Sequence, residues 1–217
     1  MEDSQAHEQL VGFLDILGTK ALVADGRFDN CLALDFANAA CLAARAHPKI
    51  RMHVYSDSVV LSAAKDDFVQ FLDAIQEMFL NWYSDRIMVR GAIAFGEMVW
   101  VDFSEDKKFF KNISNVTFSR FYGKALVEAV GLEKDSGPGM VCFLTERAVD
   151  ILEEYAGQRI LSKEGGPCLF NWVPQEKHQI VKVYCDSFLA TTGISPERRR
   201  HLEATMKFLE LPPPGRG

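Results

Sequence analysis

The chain has 217 residues, with 24 Lys or Arg against 30 Asp or Glu, a formal net charge of −6. Its 48% hydrophobic and 25% charged residues are the balance of a folded globular domain, not of a disordered chain. An acidic chain is poorly suited to wrap duplex nucleic acid, and its apolar runs are broken well short of the roughly 20 residues that span a membrane.

Residues 10–17, Leu-Val-Gly-Phe-Leu-Asp-Ile-Leu, are a short apolar run before Gly18 and predict a buried strand ending in a turn. Residues 28–46 carry a helical period closed by Pro48. Residues 50–63 predict two strands around a reversal at Ser56-Asp57-Ser58. An amphipathic helix begins at Asp66, with Phe68, Phe71, Leu72, Ile75, Met78 and Phe79 on its apolar stripe. A strand follows from Ile87 to Phe95. Residues 103–118 are polar with interleaved Phe and predict a loop or distorted strand. Tyr122 to Lys134 predicts a helix with Leu126, Ala129, Val130 and Leu132 inward. Then come a strand at 139–144, a helix at 145–156, strands at 168–173 and 179–185, and a last helix entered through Ser195-Pro196-Glu197. That helix opens with the basic run 197–201, Glu-Arg-Arg-Arg-His, contrary to the dipole preference.

The order β-α-β-β-α-β predicts an α+β, ferredoxin-like (split βαβ) fold, an antiparallel sheet flanked by helices. One domain is expected over 1–211, with 212–217 a frayed tail. The acidic opening Met-Glu-Asp-Ser-Gln-Ala-His-Glu lacks the basic-then-apolar order of a secretory signal. Cys31, Cys41, Cys142, Cys168 and Cys185 are odd in number and hold no Cys-x-x-Cys pair, which points to reduced thiols in the cytoplasm.

Two acids stand out. Asp15 lies inside an apolar strand, where an unpaired carboxylate costs several kcal/mol, on the order of the transfer penalty of a buried polar group. Taken alone it is a strand-end acid reaching solvent or capping a turn, or else a metal ligand. Asp57 follows the alternating Arg51, His53 and Tyr55; it is ordinary hairpin chemistry, or a second hard oxygen ligand for Mg²⁺ or Mn²⁺.

Phe13-Leu14-Asp15-Ile16-Leu17-Gly18, Tyr55-Ser56-Asp57-Ser58, Arg90-Gly91-Ala92-Ile93-Ala94-Phe95-Gly96 and Gly123-Lys124-Ala125-Leu126-Val127-Glu128-Ala129-Val130-Gly131-Leu132 follow one another over roughly residues 10–135. In that order they resemble the motifs of the class III nucleotidyl cyclase catalytic domain. The resemblance implies that Asp15, Asp57 and the backbone carbonyl of Ile16 hold two divalent ions, Mn²⁺ or Mg²⁺. It also implies that the N–H groups of Leu17, Gly18 and Thr19 face the triphosphate, as suits a turn opening a helix. The family's transition-state Asn and Arg fall on Val127 and Gly131, and its purine-reading Lys and Asp fall on His53 and Arg120. Without the resemblance, His53 is a surface strand histidine and Arg120 a salt-bridge partner.

These departures, with the Tyr-Ser-Asp-Ser, Arg-Gly-Ala-Ile and Tyr-Gly-Lys-Ala-Leu-Val-Glu-Ala elements, look like the pyrimidine cyclases of bacterial antiphage Pycsar systems. That branch implies conversion of UTP, less readily CTP, to a cyclic monophosphate and pyrophosphate. It further implies a homodimer with sites at the subunit interface and a separate effector activated by the cyclic nucleotide. The expectation from another class is a catalytically inactive cyclase-like domain that binds a nucleotide or a partner and regulates.

Overall fold

Strand β1 (His7–Ile16) is buried on both faces over Leu10–Leu14, so it belongs inside a sheet covered on either side. A computed structural model describes residues 7–101, 121–156, 159–161 and 166–211; the expected loop at 103–118, Arg120 and the tail 212–217 lie outside the described residues. Helix α1 (Thr19–Ala24) follows the turn at Gly18, and α2 (Asn30–Ala46) is capped by the Asp29 side chain, which accepts from the Leu32 N–H. Strands β2 (Arg51–Tyr55) and β3 (Ser58–Ala64) form the expected hairpin. Helix α3 (Phe68–Ser84) leads to β4 (Val89–Trp100).

β1 pairs antiparallel with β3 on one side and β4 on the other, giving the order β2-β3-β1-β4. That is the split βαβ arrangement. A short β5 (Phe121–Tyr122) extends the far end of β4 and precedes α4 (Lys124–Asp135). β6 (Cys142–Leu144), α5 (Glu146–Ala156), β7 (Ile160–Leu161) and β8 (Cys168–Phe170) continue the sheet in the order β4-β6-β8-β7. β6 runs parallel to β4, a departure from an all-antiparallel sheet; the connection carries α4 as its crossover. Helices α6 (His178–Leu189) and α7 (Pro196–Leu209) close the chain.

Helix α3 buries Phe71, Leu72, Ile75, Met78, Phe79 and Trp82. Trp82 stacks on Phe36 of α2 at 4.9 Å and donates its indole N–H to the Phe36 carbonyl at 3.0 Å, locking the two helices. Helix α4 instead packs on β1 and β4 through Ala125, Ala129 and Glu133. Val130, expected inward, is 37% exposed. Trp172 stacks on Phe79 and on Phe208 of α7 and donates to the Met140 carbonyl, so the last two helices are tied to the first core. Among the described residues no helix is long and apolar enough to cross a membrane.

Residues 179–185 are not a strand but the body of α6. The alternation of Val181, Val183 and Cys185 suggests a sheet, yet Val181 and Cys185, one helical turn apart, are the buried pair. Ile180 and Val183 face outward at 67% and 55% exposure. Tyr83 fixes the helix by donating to the Val181 carbonyl at 2.5 Å. The strand expected at 168–173 stops at Phe170, where the Asn171 carboxamide accepts from the Val173 N–H and turns the chain. At the start of α7, Ser195 caps as expected, accepting from the Arg198 N–H at 3.2 Å.

Gly91 shows how tightly the central strands meet. A Cβ there would lie 2.3 Å from Leu14 Cδ2 and 3.0 Å from the Phe13 carbonyl oxygen. Gly91→Ala is expected to lower stability by about 1–3 kcal/mol through overpacking. The measurement is a urea titration, in which the midpoint should fall with an unchanged m-value; an unmoved midpoint would show that the strands have room to spare.

Candidate active site

Register places a row of polar side chains across four strands: Tyr55 on β2, Ser58 on β3, Asp15 on β1 and Arg90 on β4. Directly paired residues share a face of the sheet, so these side chains project together. The next row on that face is His53, Val60, Phe13 and Ala92. His53 therefore stands one row, roughly 7 Å, behind the Asp15 row.

Ser58 is buried and donates its hydroxyl to Asp15 Oδ1 at 2.5 Å. Burial raises the Asp15 carboxyl from 3.8 to about 6; the Ser58 hydrogen bond pulls it down, Asp57 and Glu133 push it up, and Arg90 pulls it down. The cation beside Asp15 is already committed. Arg90 donates through Nε at 2.7 Å and Nη2 at 2.6 Å to Glu133 Oε1, and through Nη1 to the Gly137 carbonyl. Glu133 and Arg90 are a buried pair, with side chains 7% and 15% exposed, so Asp15 competes for a charge that another carboxylate holds.

Asp57 occupies the tight β2–β3 reversal, preceded by Ser56 in a left-handed conformation at φ 50°. Its carbonyl accepts from the Ile16 N–H at 2.9 Å, which fastens the hairpin to the end of β1. Two of the expected metal-binding residues, Asp15 and Asp57, are thus brought close enough to repel one another electrostatically. The Ile16 carbonyl, the third, accepts from Thr19 Oγ at 3.0 Å and retains a second lone pair. Among the described residues there is no cluster of three or more His, Cys, Asp or Glu poised around one ion. A pair of carboxylates and a carbonyl still suits a divalent cation whose remaining ligands are phosphate and water oxygens. The Asp15 carboxyl is raised first by burial, with the Asp57 and Glu133 charges adding to the shift.

The three amides expected at the triphosphate do not share one state. Leu17 N–H donates to the Met88 carbonyl at 2.8 Å and is spent inside the fold. Gly18, at φ 78°, makes the turn that starts α1, and the first-turn amides from Thr19 have no acceptor within the helix. His53 sits in an aromatic cluster, 5.7 Å from the Tyr55 ring and 5.2 Å from Phe121; burial lowers its pKa and leaves it neutral near pH 7. Arg120 lies outside the described residues, so its pairing with His53 is not among the contacts seen here.

Sequence reasoning passed over Ser58 and Glu133. Ser58 reads as turn chemistry, and nothing local says that its hydroxyl turns inward. Glu133 did carry a signal: Ala125, Ala129 and Glu133 recur every fourth residue, one face of α4 ending in a charge.

The Asp15 shift has a pH consequence. Its folded pKa lies above the unfolded value, so the folded protein binds this proton more tightly and loses stability as pH rises from about 4 to about 6. Metal-free protein with Asp15→Asn should therefore melt higher than wild type at pH 7.5, and the gap should close at pH 4. Mn²⁺ should raise the wild-type melting temperature at pH 7.5 more than that of the variant. Equal melting temperatures at both pH values would mean that the carboxyl is not strained.

Neither a protein-family profile nor a curated protein matches the sequence. Solved structures do. A guanylyl cyclase, Cya2, superposes with a TM-score of 0.56 at 11% identity, over 77% of this chain and 92% of that one. A bacterial light-regulated adenylyl cyclase gives 0.60 at 14% identity, over 83% of this chain and 58% of that longer one. The guanylate cyclase domain of RhGC from Catenaria anguillulae, solved in complex with GTP, gives 0.52 at 12% identity, over 75% and 93%. At such identities the likeness speaks for architecture, and it agrees with the eight-stranded sheet and flanking helices described above. The chain has the fold of a nucleotidyl cyclase catalytic domain.

Proposed function

We propose that the protein is a metal-dependent nucleotidyl cyclase of the pyrimidine branch, converting UTP, and less readily CTP, to the 3′,5′-cyclic monophosphate and pyrophosphate. The observation that carries this reading is the Asp15–Asp57 pair, set at the joined ends of β1 and the β2–β3 hairpin and short of positive charge. In this reading Asp15, Asp57 and the Ile16 carbonyl hold two divalent ions, Mn²⁺ or Mg²⁺. Bound there, such ions lower the pKa of the ribose 3′-hydroxyl and offset charge on the phosphates. Ser58 keeps Asp15 oriented toward the ligand, and Glu133 keeps Arg90 from neutralising it. Gly18 and Thr19 offer amides to the triphosphate, and Leu17 joins them if Met88 releases its N–H. The 3′-oxygen attacks the α-phosphorus in line, and pyrophosphate leaves.

Base choice rests on the resemblance. His53 and Arg120 replace the purine readers, and donors suit the two carbonyls of uracil better than the amine of cytosine. The resemblance likewise motivates a separate cyclic-nucleotide-activated effector in antiphage defence, while the cysteine pattern motivates a cytoplasmic location. One observation favours the inactive, regulatory reading: Val127 is 72% exposed, and Gly131 has open space around it, where the resemblance places Asn and Arg.

One assay separates the readings. Purified protein is given all four NTPs at equal concentration with Mn²⁺, and the products are identified by mass. Cyclic UMP is expected to dominate, and Asp57→Ala is expected to reduce turnover at least 100-fold while retaining the wild-type melting profile. Cyclic AMP or GMP in excess overturns the pyrimidine assignment; no cyclic product from wild type leaves the regulatory reading in its place.

The homodimer is tested separately. Tyr122 and Val127 are 58% and 72% exposed, large apolar side chains at β5 and on the outward side of α4. Val127→Asp should shift the protein from dimer to monomer in sedimentation and cut turnover at least tenfold. A fully active monomer would contradict the interface.

A further inference from the structure

Helix α2 turns one side into the core, burying Phe36, Ala39, Ala40 and Ala43. Its other side is uncovered, yet it lacks the charged face of a helix that only meets water. Cys31, Leu34, Asn38, Cys41 and Leu42 recur along it at three- and four-residue spacing, all exposed. Leu34 is 67% and Leu42 40% exposed.

Position along the helix makes this face its own complement. Leu34 and Leu42 lie one turn to either side of Asn38. When a second copy is laid antiparallel, with a two-fold axis at Asn38, Leu34 of each chain meets Leu42 of the other. The two Asn38 carboxamides then face one another. Each offers donors and an acceptor, so a symmetric pair bonds reciprocally. A single asparagine in an apolar helix seam sets the register, because other alignments bury it against leucine.

Charge follows the same symmetry. Asp35 lies on the N-terminal side of Asn38 and Arg45 at the C-terminal end, both exposed. Among the described residues neither forms an ion pair. Asp35 instead adds like charge to Asp85, whose carboxyl burial already raises. The antiparallel pairing sets Arg45 of one chain about 6 Å along the axis from Asp35 of the other, which an arginine side chain spans. A parallel pairing would set acid beside acid and align the two helix dipoles.

We propose that the exposed face of α2 docks on the same face of a second copy of this chain, antiparallel about Asn38, with Leu34 against Leu42 and Asp35 against Arg45 across the two-fold axis. A surface fitted to itself takes an isologous partner. One pair of helix faces is smaller than the about 1,200 Å² of a stable interface, so the contact is reversible and forms at high local concentration. It leaves Val127→Asp protein monomeric in dilute solution. The face contains no residue of the carboxylate row or of α4, so it stands apart from nucleotide turnover and from the α4 interface.

Disulfide trapping of the full chain reads such a contact. In a Cys31→Ser/Cys41→Ser background, Asn38→Cys puts one thiol on the axis, and Asp186→Cys, exposed on α6, is the control. Under mild oxidation the Asn38→Cys chain is expected to form a covalent dimer at least tenfold faster than the control. Adding Leu34→Glu/Leu42→Glu should remove that advantage without changing the melting profile. Asp35→Arg and Arg45→Asp, each added alone, should slow trapping, and an equimolar mixture of the two should restore it. Mixing would not rescue residues that served only the helix they belong to. Trapping no faster than the control, trapping indifferent to the leucine changes, or no rescue on mixing each overturns the proposal.

Discussion

The site is organised around a carboxylate carried by the central strand of the sheet. Asp15 sits on the central strand between β3 and β4, half removed from water, with one hydroxyl donor and a neighbouring arginine that a buried glutamate already occupies. An acid in such a place is costly, and the surroundings do not remove the cost. Ser58 steadies one oxygen; Asp57 adds like charge; Arg90 is held by Glu133 and Gly137. The same sheet also contains a fully satisfied polar row further along, where Trp100 donates to Ser62 and Ser62 to Gln9. The contrast between the two rows is between polar groups that satisfy one another and a carboxylate whose burial is not offset.

The first half of the fold was legible because its signals are local. A short apolar run before Gly18, a Ser-Asp-Ser reversal and a strong amphipathic stripe each specify an element within a dozen residues, and their order leaves the split βαβ pairing as the natural sheet. The second half was less so. In α6 the alternation of Val181, Val183 and Cys185 is strand-like, but Val183 lies on the solvent face, and packing of Val181 and Cys185 against Tyr83 decides the conformation. The short β5 and β7 have too few residues to show a period at all, whereas β6 falls within the strand expected at 139–144.

The same division applies to the site. Asp15 and Asp57 were visible as acids in unexpected contexts. What surrounds them was not, because Ser58–Asp15 and Arg90–Glu133 are meetings between elements that only strand register and the crossover of α4 create. Arg86 and Arg198 meet only because the turn before β4 and the start of α7 face one aromatic ring, Phe188. The end of β1 beside the carboxylate row is clamped from both sides, since the Ile16 N–H donates to the Asp57 carbonyl and the Leu17 N–H to that of Met88.

The central position of β1 also bears on how the protein is made. This strand precedes both of its neighbours in the chain, so it has no partner until they are made. Ser58 and Asp15 are 43 residues apart, and Arg90 and Glu133 a further 43, so the polar row is assembled by two successive long loop closures. Topology of that kind slows folding, since entropy is lost before non-local contacts compensate for it. Until β4 has emerged, β1 and β3 form an apolar ribbon with an unpaired edge, the kind of surface on which nascent chains associate wrongly. The half-buried acid near the end of that ribbon places a charge where an intruding strand would have to pair, so the residue that strains the finished sheet also guards the unfinished one.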